Sequence, residues 1–112
     1  KSVEKSYKLD RYNAVIIDAG TGLNEVNRHY LKKSKIKIFV TTMENIALLN
    51  TMNLMKNVSG HKVLYIPTAK NEYILNMQDR INRYSKLHLY NSHILVCNDI
   101  RDLISLIERN RK

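Results

Sequence analysis

The sequence predicts an α/β domain in which helices cover both faces of a parallel sheet. Two observations support this class: four short apolar runs, and stretches with helical spacing that alternate regularly with them. Strands that alternate with helices through short links form parallel sheets with crossover connections. We therefore expect a β-α unit repeated four times, and a single α/β unit spanning residues 1–112.

The apolar runs mark the strands in chain order: Ala14–Ile17, Ile36–Val40, Val63–Ile66 and His93–Val96. Three of them are nearly continuous, which is typical of strands covered on both faces. The second run alternates, with Lys37 between Ile36 and Ile38, so we expect it nearer an edge of the sheet. Pro67 comes just after the third run, where its missing N–H removes no central ladder hydrogen bond.

Helical spacing follows each apolar run. The first helix is predicted over Asn24–Lys33, and the second is expected to end at Gly60. The third carries apolar residues from Tyr73 to Tyr84 at i, i+3, i+4 spacing. The last, Asp99–Arg109, is amphipathic, and packing onto the sheet is favoured over lying on an anionic membrane. Three methionines are interpreted as core filling rather than as a peptide groove: Met52, Met55 and Met77.

Composition narrows the class of protein. The chain is 44% hydrophobic with a formal net charge of +9, which is ordinary for a globular domain. Its polar start predicts no signal peptide, and no apolar run approaches the roughly 20 residues of a membrane span. The lone Cys97 lies in an apolar run and predicts a buried, reduced thiol. We expect a cytoplasmic protein. The densest basic cluster is expected to solvate a turn rather than to bind nucleic acid: Lys32, Lys33, Lys35 and Lys37.

The segment Asp18-Ala19-Gly20-Thr21-Gly22 is the strongest chemical signal. It directly follows the first strand, and ligands of open parallel sheets bind beyond the carboxyl ends of their strands. A carboxylate there can hold Mg²⁺ directly or through water, and glycine backbone can closely approach a phosphate. The alternative stays open that Asp18 caps the next helix and that the glycines only turn the chain.

Residues 11–58 resemble the Walker B region of the MinD/ParA-type ATPases, and they are most similar to the flagellar-number regulators of that family. An aromatic-led strand ends in Asp, a Gly-x-Gly loop follows, and the next strand closes in Val-Thr-Thr before a Glu. The matching residues are Tyr12, Asp18, Gly20, Gly22, Thr41, Thr42 and Glu44. The resemblance implies a partial Rossmann-like P-loop NTPase fold.

The resemblance also implies roles for particular residues. Asp18 would be the Walker B acid, both catalytic and the Mg²⁺ ligand. The loop after it, Gly20, Thr21 and Gly22, would sense the γ-phosphate of ATP. Pro67 and Thr68 would lie beside the adenine base. The protein would bind ATP and Mg²⁺ and use ATP-driven dimerisation to position or count a cellular structure. Its partners would be a second copy or a missing N-terminal half, other proteins, and the inner face of the membrane, but not nucleic acid.

The departures from that family matter equally. No G-x-x-x-x-G-K-[ST] motif occurs, so the phosphate loop and its lysine are missing. Pro67 and Thr68 stand where the family has the Asn that recognises adenine. We therefore expect the C-terminal portion of a larger ATPase domain, inactive alone. Without the P-loop strand, Ala14–Ile17 is expected to be an exposed sheet edge that dimerisation or another segment covers.

Two alternatives remain. The chain could be a non-catalytic remnant that serves as a partner-binding module. It also resembles a response-regulator receiver with Asp18 as phosphoacceptor, but an acidic pair after a preceding strand is missing and Ile66 replaces the lysine before Pro67. The histidines show no metal-ligand spacing: His29, His61, His88 and His93.

Overall fold

A computed structural model describes residues 14–18, 32–88 and 93–109. The elements, in chain order, are β1 (Ala14–Asp18), β2 (Ile36–Val40), α1 (Asn45–Lys56), β3 (His61–Tyr65), α2 (Asn71–His88), β4 (Ile94–Cys97) and α3 (Ile100–Arg109). The strands form one parallel sheet in the order β1-β2-β3-β4. The predicted α/β class and parallel sheet are confirmed. The helix predicted over Asn24–Lys33 lies outside the described residues except for its last two, which are helical.

Helices cover both faces of the sheet, which gives three layers. On one face, side chains at matching register positions of all four strands are buried beneath α1 and α2: Ile17, Phe39, Leu64 and Val96. On the other face, Leu103 of α3 packs with a second cluster: Ile36, Ile38, Val63 and Cys97. The two crossover helices that the structure describes in full, α1 and α2, share one face because right-handed crossovers join strands that are each added beside the last.

The face beneath α3 is covered unequally. The register aligns Ile16, Ile38, Val63 and Leu95 across it, with exposed fractions of 66%, 0%, 1% and 44%. A helix about 10 Å across covers about two strands spaced 4.8 Å apart, so α3 leaves the outer strands open. Within the described residues β1 pairs with β2 alone, as expected of a strand at the edge of the sheet.

The expectation that β2 lies near an edge is wrong. β2 pairs with β1 on one side and β3 on the other, and its Lys37 is 8% exposed. Lys37 stands beside Lys62 of β3 in the register, and Lys62 is 2% exposed. The Nζ of Lys62 donates to the carbonyl oxygens of Met55 at 2.7 Å and Val58 at 2.5 Å. Lys62 can occupy an inward position because its Nζ satisfies carbonyl oxygens at the end of α1.

The end of α1 also corrects the role expected of Gly60. The helix ends at Lys56, and Asn57 donates its N–H back to Leu54 O. Gly60 comes four residues later with φ +94°, immediately before β3. Its left-handed backbone turns the chain into the strand, and an added Cβ would lie 2.9 Å from Lys37 Nζ.

The outer side of β4 is closed by a side chain. The Gln78 amide of α2 donates to Ile94 O at 2.9 Å and accepts from Val96 N–H at 2.7 Å. These two hydrogen bonds replace the pair that another strand would make, so this edge of the sheet is less able to pair with a further strand.

The last helix packs on the sheet through Leu103, Leu106 and Ile107, as predicted. Among the described residues, no helix has both the length and the apolar character required to cross a bilayer.

Candidate functional site at the carboxyl edge of the sheet

The carboxyl ends of the four strands are level. Asp18, Val40, Tyr65 and Cys97 stand beside one another in the register, each the last residue of its strand. The chain leaves the sheet at one common edge, where open parallel sheets bind their ligands. The candidate site is therefore formed by the segments that come after these four residues.

Asp18 is the last residue of β1 and pairs with Val40 of β2. The preceding Ile17 is 4% exposed, so the strand that carries Asp18 is anchored in the core on one face. The predicted phosphate-sensing residues Gly20, Thr21 and Gly22 lie outside the described residues. The predicted Mg²⁺ ligand is thus located by its backbone, at the carboxyl edge.

Thr41 and Thr42 follow β2 and lead into α1. Thr41 is 3% exposed and donates its N–H to Tyr65 O at 3.0 Å, so it extends the ladder by one residue. The Thr42 hydroxyl accepts from Glu44 N–H at 3.3 Å, just before the helix begins. These contacts give both threonines a structural function in the turn.

Pro67 and Thr68 form an exposed turn after β3. Two strand spacings separate β3 from β1, so the start of this turn is about 10 Å from the start of the Asp18 loop. The turn is fixed by Ala69, whose N–H donates to Ile66 O at 3.0 Å and whose carbonyl accepts from Asn98 Nδ2 at 2.6 Å. Of the predicted site residues, the three that the structure describes, Asp18, Pro67 and Thr68, therefore share one edge, but Asp18 and this turn are not neighbours.

Sequence reasoning missed the polar residues after β4. Asn98 reaches back across the edge, and its Nδ2 also donates to Asn71 Oδ1 at 3.0 Å. Asp99 Oδ1 accepts from Arg101 N–H at 2.9 Å, which caps α3, and both carboxylate oxygens accept from the Arg101 guanidinium. The hydrogen bonds from Arg101 hold the pKa of Asp99 below its ordinary value. The sequence does contain a signal for such polar contacts, because Asn98 and Asp99 directly precede an amphipathic helix and such residues commonly cap helices.

Charge is distributed unevenly between the two ends of the strands. Glu44, Glu72, Asp99 and Asp102 lie beside or within the first turns of the helices that leave the carboxyl edge. Negative side chains favour helix N-termini, and Lys56 and Lys62 take the opposite end of α1. Lys70 and Arg101 lie at the same edge, and Arg101 pairs with Asp99 at 2.8 Å. In the parts of the chain that the structure describes, no cluster of three or more His, Cys, Asp or Glu residues could hold a metal ion.

Cys97 ends β4 and is 7% exposed. Burial raises the pKa of its thiol to about 11, and the nearby Asp102 and Asp99 act in the same direction. The thiol stays protonated at neutral pH and packs as a small apolar group, as predicted from its apolar run.

Comparison with known proteins adds no relative from which function could be transferred. No family model, curated protein or solved structure matches the chain.

Proposed function

We propose that the chain forms the Walker B edge of a nucleotide-dependent switch of the MinD/ParA type, most similar to the flagellar-number regulators. The observation that carries the proposal is the position of Asp18, which ends a strand at the carboxyl edge of a wholly parallel sheet. An acid there is suited to organising Mg²⁺ beside a nucleotide. ATP would drive dimerisation, and dimerisation would position or count a cellular structure.

The residues of this chain supply only part of an ATP–Mg²⁺ site. Asp18 would hold the metal directly or through water. The glycine-rich loop after it would lie near the γ-phosphate: Gly20, Thr21 and Gly22. The turn at Pro67 and Thr68 would lie near the adenine base. The edge is rich in acids, and the sequence contains no G-x-x-x-x-G-K-[ST] motif. The phosphates would thus need a lysine-bearing loop from outside these 112 residues, and we assign no catalytic step to the chain alone.

In the part of the chain that the structure describes, one side of β1 is open to the strand that would carry such a loop. β2 and β3 are paired on both sides, whereas β1 pairs on one side within the described residues. A further strand would pair along Ala14–Asp18 and bring its own carboxyl end beside Asp18. The same contact would cover Ile16, which is 66% exposed.

The missing phosphate loop favours one different function, a partner-binding module without catalysis. It predicts that neither ATP nor Mg²⁺ changes the chain's stability or its association. A ligand that binds only the folded state raises apparent stability, so thermal unfolding of the chain joined to a Walker A segment, with and without Mg²⁺–ATP, separates the two hypotheses.

The decisive experiment compares two proteins, the 112-residue chain and the same chain joined to any upstream segment that carries a Walker A lysine. We expect no ATP hydrolysis by the chain alone, and hydrolysis by the longer protein that Asp18→Ala abolishes. Asp79→Ala, which removes an exposed acid in the middle of α2, is the matched control and should retain activity. Hydrolysis by the chain alone that Asp18→Ala abolishes would overturn the incomplete-site proposal. Transfer of a phosphoryl group from acetyl phosphate to Asp18, detected by mass spectrometry, would favour the receiver instead.

A further inference from the structure

A groove runs between α1 and α2, the two helices that cover one face of the sheet. It encloses about 610 Å³. One wall is a stripe of α1 from Asn45 to Lys56, and the other is a stripe of α2 from Tyr73 to Tyr84. None of the described residues of the proposed nucleotide site lines it, so a ligand of this groove would bind independently of the proposed function.

The two walls have the same length. Each spans eleven residue steps, which is about 16 Å or three helical turns. Both helices run from the carboxyl edge of the sheet to its amino edge, so the walls are also aligned. The Lys56 Nζ lies 5.7 Å from the centre of the Tyr84 ring, which confirms that the last residues of the two stripes meet at one end.

The chemistry of the groove is apolar with a basic end. Met77 and Ile81 are buried and form its floor, and Met52 is half-buried beside them, so of the three methionines expected to fill the core only Met55 does not line the groove. Leu49 stands at the rim and is 63% exposed. The charged side chains of the lining are Lys56 and Arg80, and none of the acids that the structure describes lines the groove.

We propose that this groove binds an acidic amphipathic helix, about three turns long, from a protein partner. A helix laid between two parallel walls contacts both through apolar residues at i, i+3, i+4 and i+7, and methionines adapt to such ligands. Acidic residues on its flanks would face Lys56 and Arg80. The chain's net charge of +9 favours an acidic partner over a second copy of itself.

The test is a selection of random 16-residue peptides displayed on phage against the 112-residue chain, without nucleotide. We expect enrichment of sequences with helical apolar spacing and a net negative charge. Synthetic versions of the enriched peptides are then titrated by fluorescence anisotropy. Leu49→Glu should weaken their binding at least about 10-fold, since it places a charge on the apolar wall. Leu75→Glu is the matched control, because Leu75 is 71% exposed on α2 outside the groove and should leave binding unchanged.

A charge exchange separates recognition from loss of folding. The variant Lys56→Glu/Arg80→Glu should bind the acidic peptides more weakly. Binding to this variant should return when the acidic residues of the peptides are replaced by lysine. Unchanged circular dichroism spectra confirm that each variant is folded. Enrichment of basic or unpatterned peptides, no enrichment, or binding indifferent to Leu49→Glu would overturn the proposal. Self-association that Leu49→Glu abolishes in sedimentation velocity would assign the groove to a second copy and would equally overturn it.

Discussion

Replacing Lys62 by methionine should change how the stability of the protein depends on pH. Lys62 is 2% exposed, and its Nζ donates to the carbonyl oxygens of Met55 and Val58. Burial lowers the pKa of Lys62 from 10.5 to about 8, and the neighbouring positive charge of Lys37 acts in the same direction. Methionine keeps the length and apolar stem of the side chain but cannot titrate.

The sign of the effect is set by proton binding. Between pH 8 and 10.5 the unfolded chain holds the Lys62 proton more tightly than the folded chain, so the free energy of unfolding rises with pH. A folded pKa of about 8 against 10.5 in the unfolded state gives a gain of about 2.5 kcal/mol between pH 7 and pH 10. The neutral amine still donates to both carbonyls, so the gain is not offset by lost hydrogen bonds. Lys62→Met lacks this gain.

The measurement is urea unfolding of both proteins from pH 7 to pH 10, followed by circular dichroism at 222 nm, which reports the helices. The stability of the wild type relative to Lys62→Met should grow by about 2.5 kcal/mol, an extra midpoint separation on the order of 1 M urea. Lys37→Met should move the rise to higher pH, since it removes a charge that lowers the pKa of Lys62. A difference that stays constant with pH, or that shrinks, would refute the argument that Lys62 is desolvated.

Three further substitutions test the packing and the backbone. Phe39→Ala removes a side chain with no exposed surface from the centre of the sheet and should cost about 3–5 kcal/mol, seen as a large fall in the urea midpoint; a loss below about 1 kcal/mol would contradict the core assignment. Gly60→Ala should cost on the order of 1 kcal/mol, because φ +94° disfavours a Cβ; adding Lys37→Met should relieve only the contact with Nζ, and full recovery would argue against the backbone cause. Gln78→Met should cost about 1–3 kcal/mol by leaving the Ile94 carbonyl and the Val96 N–H unpaired, and light scattering should show more aggregation; Gln78→Met that is as stable and as monomeric as the wild type would contradict the edge-blocking role.

The strands were predictable because their central residues are apolar on both faces. Ile36–Val40 is predicted with the bounds observed, and Ala14–Ile17 differs by one residue. The third strand is predicted to begin two residues late, since His61 and Lys62 are polar and hide its start. The carboxyl-edge position of Asp18 follows from the same pattern, because a parallel sheet puts the residue after each apolar run at one edge.

The polar contacts were not predictable from local pattern. The prediction that β2 lies near an edge is wrong because it takes Lys37 as a sign of an exposed strand. Pairing with β3 instead sets Lys37 beside Lys62, under the end of α1. Gln78 meets β4 across a separation of 16–18 residues, and Asn98 meets Ala69 across 29. Such bonds depend on the distance between elements, which no periodicity of residues encodes.

The sequential strand order has a consequence for how the protein is made. Among the strands that the structure describes, each one pairs with the strand before it in the chain, so each ladder can form once the later of its two strands has left the ribosome. Because each strand pairs with its neighbour in the chain, each closing loop is a single crossover, which limits the entropy of closure in a parallel sheet. The order of assembly should therefore follow the direction of translation, with Gln78 and then α3 sealing the sheet last.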